Sequence, residues 1–278
     1  MTALRLADAG EAADLAAFLA RLIHYDRAAA VRLQTGGGVL AVFGRPAPFE
    51  VLAIRTARLA DGPGGPAGEG APAPAGPAGL DLTVSAGQLA DALDAAAPAG
   101  AASGDAAGGA HVRVPGSVTG PPWAGVLPPR GGWRHLPGLP GPEEIHAALA
   151  AAVAEFRSRD AALPEARRTR AERDRIGREI WSRTLDGTGL PLRAAHAAQS
   201  LGFLRPAPSR AGAPVAPAGG GAAVTVSAAG TATAVAPRTT PEQPLALLAA
   251  GNWLRLRTPY GSIAVRGSTL PGLPLTPV

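Results

Sequence analysis

Five histidines, His24, His111, His135, His146 and His196, are the natural general acids or bases of this chain. Each would need a carboxylate, hydroxyl or second histidine at a useful spacing, and none has one. Glu143-x-x-His146 has the i, i+3 spacing of a di-iron bundle, which requires two such motifs and two further glutamates; the sequence supplies one. No His-x-x-x-His or Gly-x-Ser-x-Gly occurs, and the glycine-rich runs lie among prolines rather than between a strand and a helix. No catalytic residue, metal ligand or cofactor is assigned on this basis.

The missing residue types decide more. All 26 basic residues are arginine, and cysteine is absent. Without lysine there is no Schiff-base chemistry, no Walker-type phosphate loop and no Ser-x-x-Lys hydrolase. Without cysteine there is no thiol nucleophile, disulfide, iron–sulfur cluster or Cys-based zinc site. The only enzyme left open is one that uses neither Lys nor Cys.

Two clusters have the equipment for binding. In 253–266 a turn at Thr258-Pro259-Tyr260-Gly261 closes a β-hairpin, pairing Arg257 with Ser262 and Trp253 with Arg266. Alternation puts Leu254, Leu256, Ile263 and Val265 on one face and Trp253, Arg255, Arg257 and Arg266 on the other. Arginine beside an aromatic on an open strand face suits phosphate contact and base stacking. The second cluster is the Pro/Gly-rich stretch bearing Trp123, Arg130, Trp133 and Arg134, whose rigid indoles and guanidinium groups match partner-interface chemistry. A structural role competes with each: a solvated outer face for the first, and packing between sheet and helices for the second. The arginine-rich run 167–183 is different, because Arg168–Glu172, Arg170–Asp174, Asp174–Arg178, Arg175–Glu179 and Glu179–Arg183 neutralise it at i, i+4 spacing.

The elements that must position these residues follow from periodicity. Asp8 caps a helix through Tyr25 with Leu15, Phe18, Leu19 and Leu22 on one face. Strands are expected at 29–34, 39–43, 51–59 and 80–84, with a glycine turn at 36–38 and a helix capped by Ser85. A short strand is expected at 111–115. Pro142, Glu143 and Glu144 open a helix striped by Ile145, Leu149, Ala152 and Phe156. Further helices are expected at 164–183 and 191–202, the latter closed by Gly202 with Phe203 against the cap. Strands at 223–227 and 232–236 precede the hairpin.

Composition divides these pieces. Glycine (37) and proline (29) are concentrated at 61–79, 95–110 and 205–223, nearly all Ala, Gly, Pro and Ser, which bury too little area to offset the entropy of ordering. The organisation expected is α+β: a sheet domain at 1–120 with flexible insertions at 61–79 and 95–110, a Pro/Trp-rich connector at 121–141, a helical segment at 142–204, a flexible linker at 205–223 and a β-hairpin segment at 224–278. No long-period repeat emerges. The net charge of +5 is modest, and only 206–278, with five arginines against one acid, suggests a polyanion partner. No basic leader precedes an apolar run and no window approaches about 18 uninterrupted apolar residues, so no membrane segment and a cytoplasmic location are expected.

The Arg-only basic residues around Pro-Trp-Ala-Gly-Val-Leu-Pro-Pro-Arg-Gly-Gly-Trp resemble those of uncharacterised protein families of high-GC actinobacteria, a resemblance that implies no activity. The function expected is non-catalytic binding or interaction with a protein partner. The alternative is a nucleic-acid-binding regulator, using the basic hairpin face or the winged-helix-like outline of 176–203 followed by the hairpin.

Overall fold

The computed structural model describes residues 2–60, 79–96, 110–205 and 245–267. The expected strands at 223–227 and 232–236 lie outside them, as do nearly all of the three expected insertions. The fold is α+β. In chain order the elements are β1 (Ala3–Arg5), α1 (Ala9–Tyr25), β2 (Ala30–Gly36), β3 (Val39–Gly44), β4 (Leu52–Arg58), β5 (Asp81–Ser85) and α2 (Ala86–Ala96). Then come β6 (His111–Arg113), β7 (Arg134–Leu136), α3 (Pro142–Ala161), α4 (Arg170–Ser182), α5 (Leu192–Ser200), β8 (Ala246–Ala250), β9 (Trp253–Thr258) and β10 (Gly261–Arg266).

Local chemistry starts and stops most of these elements. The Asp8 carboxylate accepts from the amides of Gly10 and Glu11 at 2.8 and 3.0 Å, capping α1. Gly37 and Gly38, at φ +57° and +74°, make the tight turn between β2 and β3 that side chains would resist. Glu144 reaches back to the Gly141 amide at 2.9 Å to open α3. At the end of α5 the Phe203 amide donates to the Ala198 carbonyl at 2.7 Å, with Gly202 at φ +73°. The helix expected from 164 begins later, at Arg170. The Thr169 hydroxyl caps it by accepting from Glu172, and 165–167 forms a separate 3₁₀ turn. Likewise α2 runs two residues into the stretch expected to be flexible from 95.

Eight antiparallel strands form one sheet in the order β5-β2-β3-β4-β10-β9-β8-β7, and β1 pairs separately with β6. The hairpin register is the one expected, from Arg257↔Ser262 to Trp253↔Arg266. The hairpin is not a free-standing segment, however. Its β10 pairs with β4 through Ser262↔Ile54, Ile263↔Ala53 and Ala264↔Leu52, so residues about 200 positions apart are joined in the middle of the sheet. Read from either edge toward this seam, each half is an outer strand and then a three-stranded meander ending at the seam, although β5 follows its meander in the chain and β7 precedes its own. An arrangement is therefore repeated that no repeat in the sequence announces.

All five helices pack against one face of the sheet. The main core joins Leu15, Phe18, Leu19 and Leu22 of α1, Leu89 and Leu93 of α2, Ile145 and Leu149 of α3 and Ile176 and Ile180 of α4 to inward strand residues such as Val31, Leu40, Val42, Leu256, Ile263 and Val265. Helix α1 lies over β4 and α5 over β10, so the seam is covered from both halves. An ion cluster reinforces it: Asp14 of α1 accepts from Arg55 of β4 at 2.8 Å and from Arg205, beyond α5, at 3.2 Å. Arg55 also donates to the Tyr260 carbonyl in the hairpin turn, and Arg205 stacks on the Tyr260 ring at 3.8 Å.

The arginine-rich helix α4 is neutralised, though mostly through α3. Arg159 bonds Glu179 at 2.8 Å, Arg183 bonds Glu155 at 2.6 Å and Arg173 bonds Asp160 at 2.8 Å. Of the expected pairs within the helix, Arg170–Asp174, Arg175–Glu179 and Glu179–Arg183 stand 3.7–3.9 Å apart. Arg168 instead donates to the carbonyls of Ala161 and Leu163. Among the described residues no helix is long and apolar enough to cross a membrane.

Candidate anion-binding face

Among the described residues no α-helix lies on the second face of the sheet. The connector between the two halves crosses it as a strap. The Val118 amide bonds the Thr83 carbonyl of β5 at 2.9 Å, and Arg32 of β2 donates to the Ala124 carbonyl. Arg32 is itself held by Asp81, at 2.6 and 2.8 Å, and this bond keeps the Asp81 carboxyl below the usual carboxylate range, with a smaller contribution from the charge of Arg130. Trp123 and Leu127 then pack on Phe43, Leu52, Ile54 and Ala264, together with Trp253. Half-buried apolar side chains of this size contribute about 1 kcal/mol each, which makes the strap part of the fold. The indoles therefore pack on the side of the sheet away from the helices, not between sheet and helices as the sequence suggested. The first face is already filled by α1–α5.

Beyond the strap the face is built from β8, β9 and β10. Cross-strand partners share a face, so the register defines three rows: Ala246, Arg257 and Ser262; Leu248, Arg255 and Ala264; Ala250, Trp253 and Arg266. His135 of β7 joins the middle row through its pairing with Leu248. The flanking Ala246, Leu248, Ala250, Ser262 and Ala264 are buried, while Trp253, Arg255 and Arg257 are half-buried and Arg266 is exposed.

The four hairpin residues are thus on one face, and they differ in environment. Arg266 lies over the Trp253 ring at 5.3 Å, a cation–π pair across the strands. Arg255 lies 5.6 Å from the Trp133 ring, and its Nη2 donates to Ser262 Oγ at 3.0 Å. The Nε atoms of Arg255 and Arg257 are both buried without an acceptor. Burial first, and then the charge of Arg257, hold the Arg255 pKa below its ordinary value. Among the described residues no carboxylate pairs with either guanidinium.

The four connector residues are less concentrated. Trp123 and Trp133 are half-buried toward the second face, and the Trp133 indole donates to the Pro129 carbonyl at 3.0 Å. Arg130 is exposed. Arg134 is exposed too, but it pairs with Ala249, whose partner Leu254 faces the helices, so its position is on the other face from Trp133. Ser262 and His135 were not singled out from sequence. The hairpin register did pair Ser262 with Arg257, without marking it as part of the site, whereas the place of His135 on this face needed β7 and β8 to be seen.

The histidines assemble no acid–base site among the described residues. His24 lines a shallow pocket of about 370 Å³ with Arg21, Tyr25 and Ser200, where no carboxylate stands. His196 is packed between Trp181, stacked at 4.3 Å, and the edge of Phe49 at 5.1 Å, and burial lowers its pKa. Among the described residues no group of three or more His, Asp or Glu is placed to hold a metal ion. The two elements of the winged-helix outline are not presented separately. Helix α5 buries Leu192, Ala194, Ala195, Ala197 and Ala198, and the hairpin lies between β4 and β8.

Fold and face together define an α+β protein with one continuous antiparallel sheet, helices on one side and an arginine–tryptophan surface under a strap on the other. The chain belongs to the family of the domain of unknown function DUF8185, whose model matches residues 128–270, and residues 1–125 match the domain of unknown function DUF8010. The division between the two falls within the strap, and the seam of the sheet joins them. No curated protein and no solved structure matches the chain.

Proposed function

We propose that this is a non-catalytic binding protein that receives an anionic partner on the β8–β10 face. One observation carries the reading. Several arginines elsewhere meet carboxylates, as in Arg32–Asp81, Arg55–Asp14, Arg58–Glu11 and Arg183–Glu155, while Arg193 shares with Arg255 and Arg257 a buried Nε without an acceptor but has no second arginine beside it on a strand. Arg255 and Arg257 stand side by side, half-buried, without a carboxylate among the described residues. Placing like charges together works against folding, and an anion from outside would offset that cost. The half-buried indoles of Trp133 and Trp253 beside these arginines favour single-stranded nucleic acid as a second reading, since bases stack on such rings.

The test is retention on immobilised heparin and on an oligothymidylate, at low and at raised salt, for the full chain and for Arg255→Ala/Arg257→Ala. Anion binding at this face predicts retention that falls steeply with salt and is largely lost in the double variant. Equal elution of the two proteins on both supports would overturn the assignment of the face. Retention on oligothymidylate alone would select the nucleic-acid reading.

A further inference from the structure

Arg255 and Arg257 are two apart on β9 and share a face of the sheet. Residues two apart on a strand have Cα atoms about 6.5–7 Å apart, and two long side chains that repel each other would be expected to splay. Here a hydrogen bond turns Arg255 toward the row of its neighbour. Ser262 is the cross-strand partner of Arg257, yet its hydroxyl accepts from Arg255. The Arg255 guanidinium therefore leans along the strand into the row of Arg257, and the pKa of Arg255 registers that neighbour's charge. Trp133 lies against the Arg255 guanidinium.

The floor beneath is small and uncharged: Ala246 and Ser262 flank Arg257, and Ala264 and Leu248 flank Arg255. Ser262 is the one side chain in these two rows able to accept a hydrogen bond, apart from His135 at the far end. Two neighbouring guanidinium groups on one face present two positive charges and several N–H donors. A planar carboxylate has one charge and two oxygens to match this, whereas a tetrahedral phosphate has up to two charges and at least three free oxygens.

Resting on the reading that this face binds anions, we infer that Arg255 and Arg257 form a seat for a compact doubly charged oxyanion, the phosphate of a phosphomonoester. Ser262 acts in it as a positioning residue that holds Arg255 toward its neighbour. The diester backbone of a nucleic acid, with one charge per phosphate, fills such a seat less well.

The experiment is a titration of the full chain with inorganic phosphate at constant ionic strength, following the arginine Nε–H resonances by NMR. Sodium acetate and an oligothymidylate without terminal phosphate serve as comparison ligands. The Nε–H signals of Arg255 and Arg257 are expected to shift saturably with phosphate, and affinity should rise as pH increases through about 6–7 and the dianion forms. Arg257→Lys keeps the charge and loses the fork, so phosphate affinity should fall about tenfold. Ser262→Ala should weaken phosphate several-fold without altering the circular dichroism spectrum. If phosphate fails to saturate, or acetate matches it, while heparin retention of the wild type depends on Arg255 and Arg257, the seat is overturned and the anion-binding face stands. If neither phosphate nor heparin binds, both fall.

Discussion

Replacing Gly261 by alanine tests whether the end of α5 is locked onto the hairpin. A Cβ at this position would stand 2.6 Å from Cζ of Phe203 and 2.8 Å from both Cε atoms, about 1 Å inside ordinary carbon contact. The ring has nowhere to retreat. Phe203 is 3% exposed, its ring stacks on Phe18 at 5.8 Å, and its backbone is tied by the bond to the Ala198 carbonyl. Overpacking of this kind costs about 1–3 kcal/mol; with three ring atoms overlapped at once, the upper half of that range, about 2–3 kcal/mol, is expected. In a folded body of this size each kcal/mol lowers Tm by about 2–4 °C, so a fall of roughly 4–12 °C is predicted. Urea unfolding followed by tryptophan fluorescence, with calorimetry alongside, measures it. The decisive comparison is the cycle with Phe203→Leu. Removing the ring removes the clash but leaves the strain of alanine at φ +156°, so Gly261→Ala should still cost stability in that background, by about 1–2 kcal/mol less than in the wild type. An alanine variant as stable as the wild type, or equal costs in the two backgrounds, would refute the argument.

Three further outcomes follow from the same packing. Asp14→Ala leaves Arg55, 11% exposed at its side chain, with the Tyr260 carbonyl as its remaining partner. Because Asp14 is itself 40% exposed, a loss of about 1–2 kcal/mol is expected in urea, below the cost of breaking a fully buried pair. His196 has a pKa lowered by burial, so the unfolded chain takes up its proton first as pH falls. Its contribution to stability should be complete above the unfolded value of about 6.5 and shrink below it; urea midpoints across this range should slope less in His196→Phe than in the wild type. Arg32→Ala removes the bonds to Asp81 and to the Ala124 carbonyl, so amide exchange at Val118, Ala124 and Val126 should accelerate while α1 and α5 stay protected.

Whatever depended on neighbours in the chain was legible in the sequence. The hairpin register followed from a four-residue turn and strict alternation, and the caps at Asp8, Ser85 and Gly202 from the polar or flexible residue each position needs. Strand β8 was missed because Leu245-Ala-Leu-Leu-Ala-Ala is apolar on both faces, a pattern as compatible with a buried helix as with a strand. At three residues, β7 is too short to show a period. The seam between β4 and β10 had no local signal at all, since each strand alternates equally well with any partner. For the site, the shared face of Trp253, Arg255, Arg257 and Arg266 was visible. The turning of Arg255 toward Ser262 and the approach of Trp133 were not, because they depend on tertiary placement.

The pairing of β4 with β10 also imposes an order in time. A ribosome delivers Leu52–Arg58 about 200 residues before Gly261–Arg266, an interval of roughly 10–40 s at about 5–20 residues per second. Through that interval β4, at the inner edge of the first half's sheet, has an apolar stretch with the residue before it, Val51 to Ile54, and an open row of backbone donors and acceptors on one side. The first half thus spends its early life as an incomplete sheet, with Arg55 and Arg58 as the charges that discourage a stranger from pairing there. Its proper neighbour is made after every other described strand.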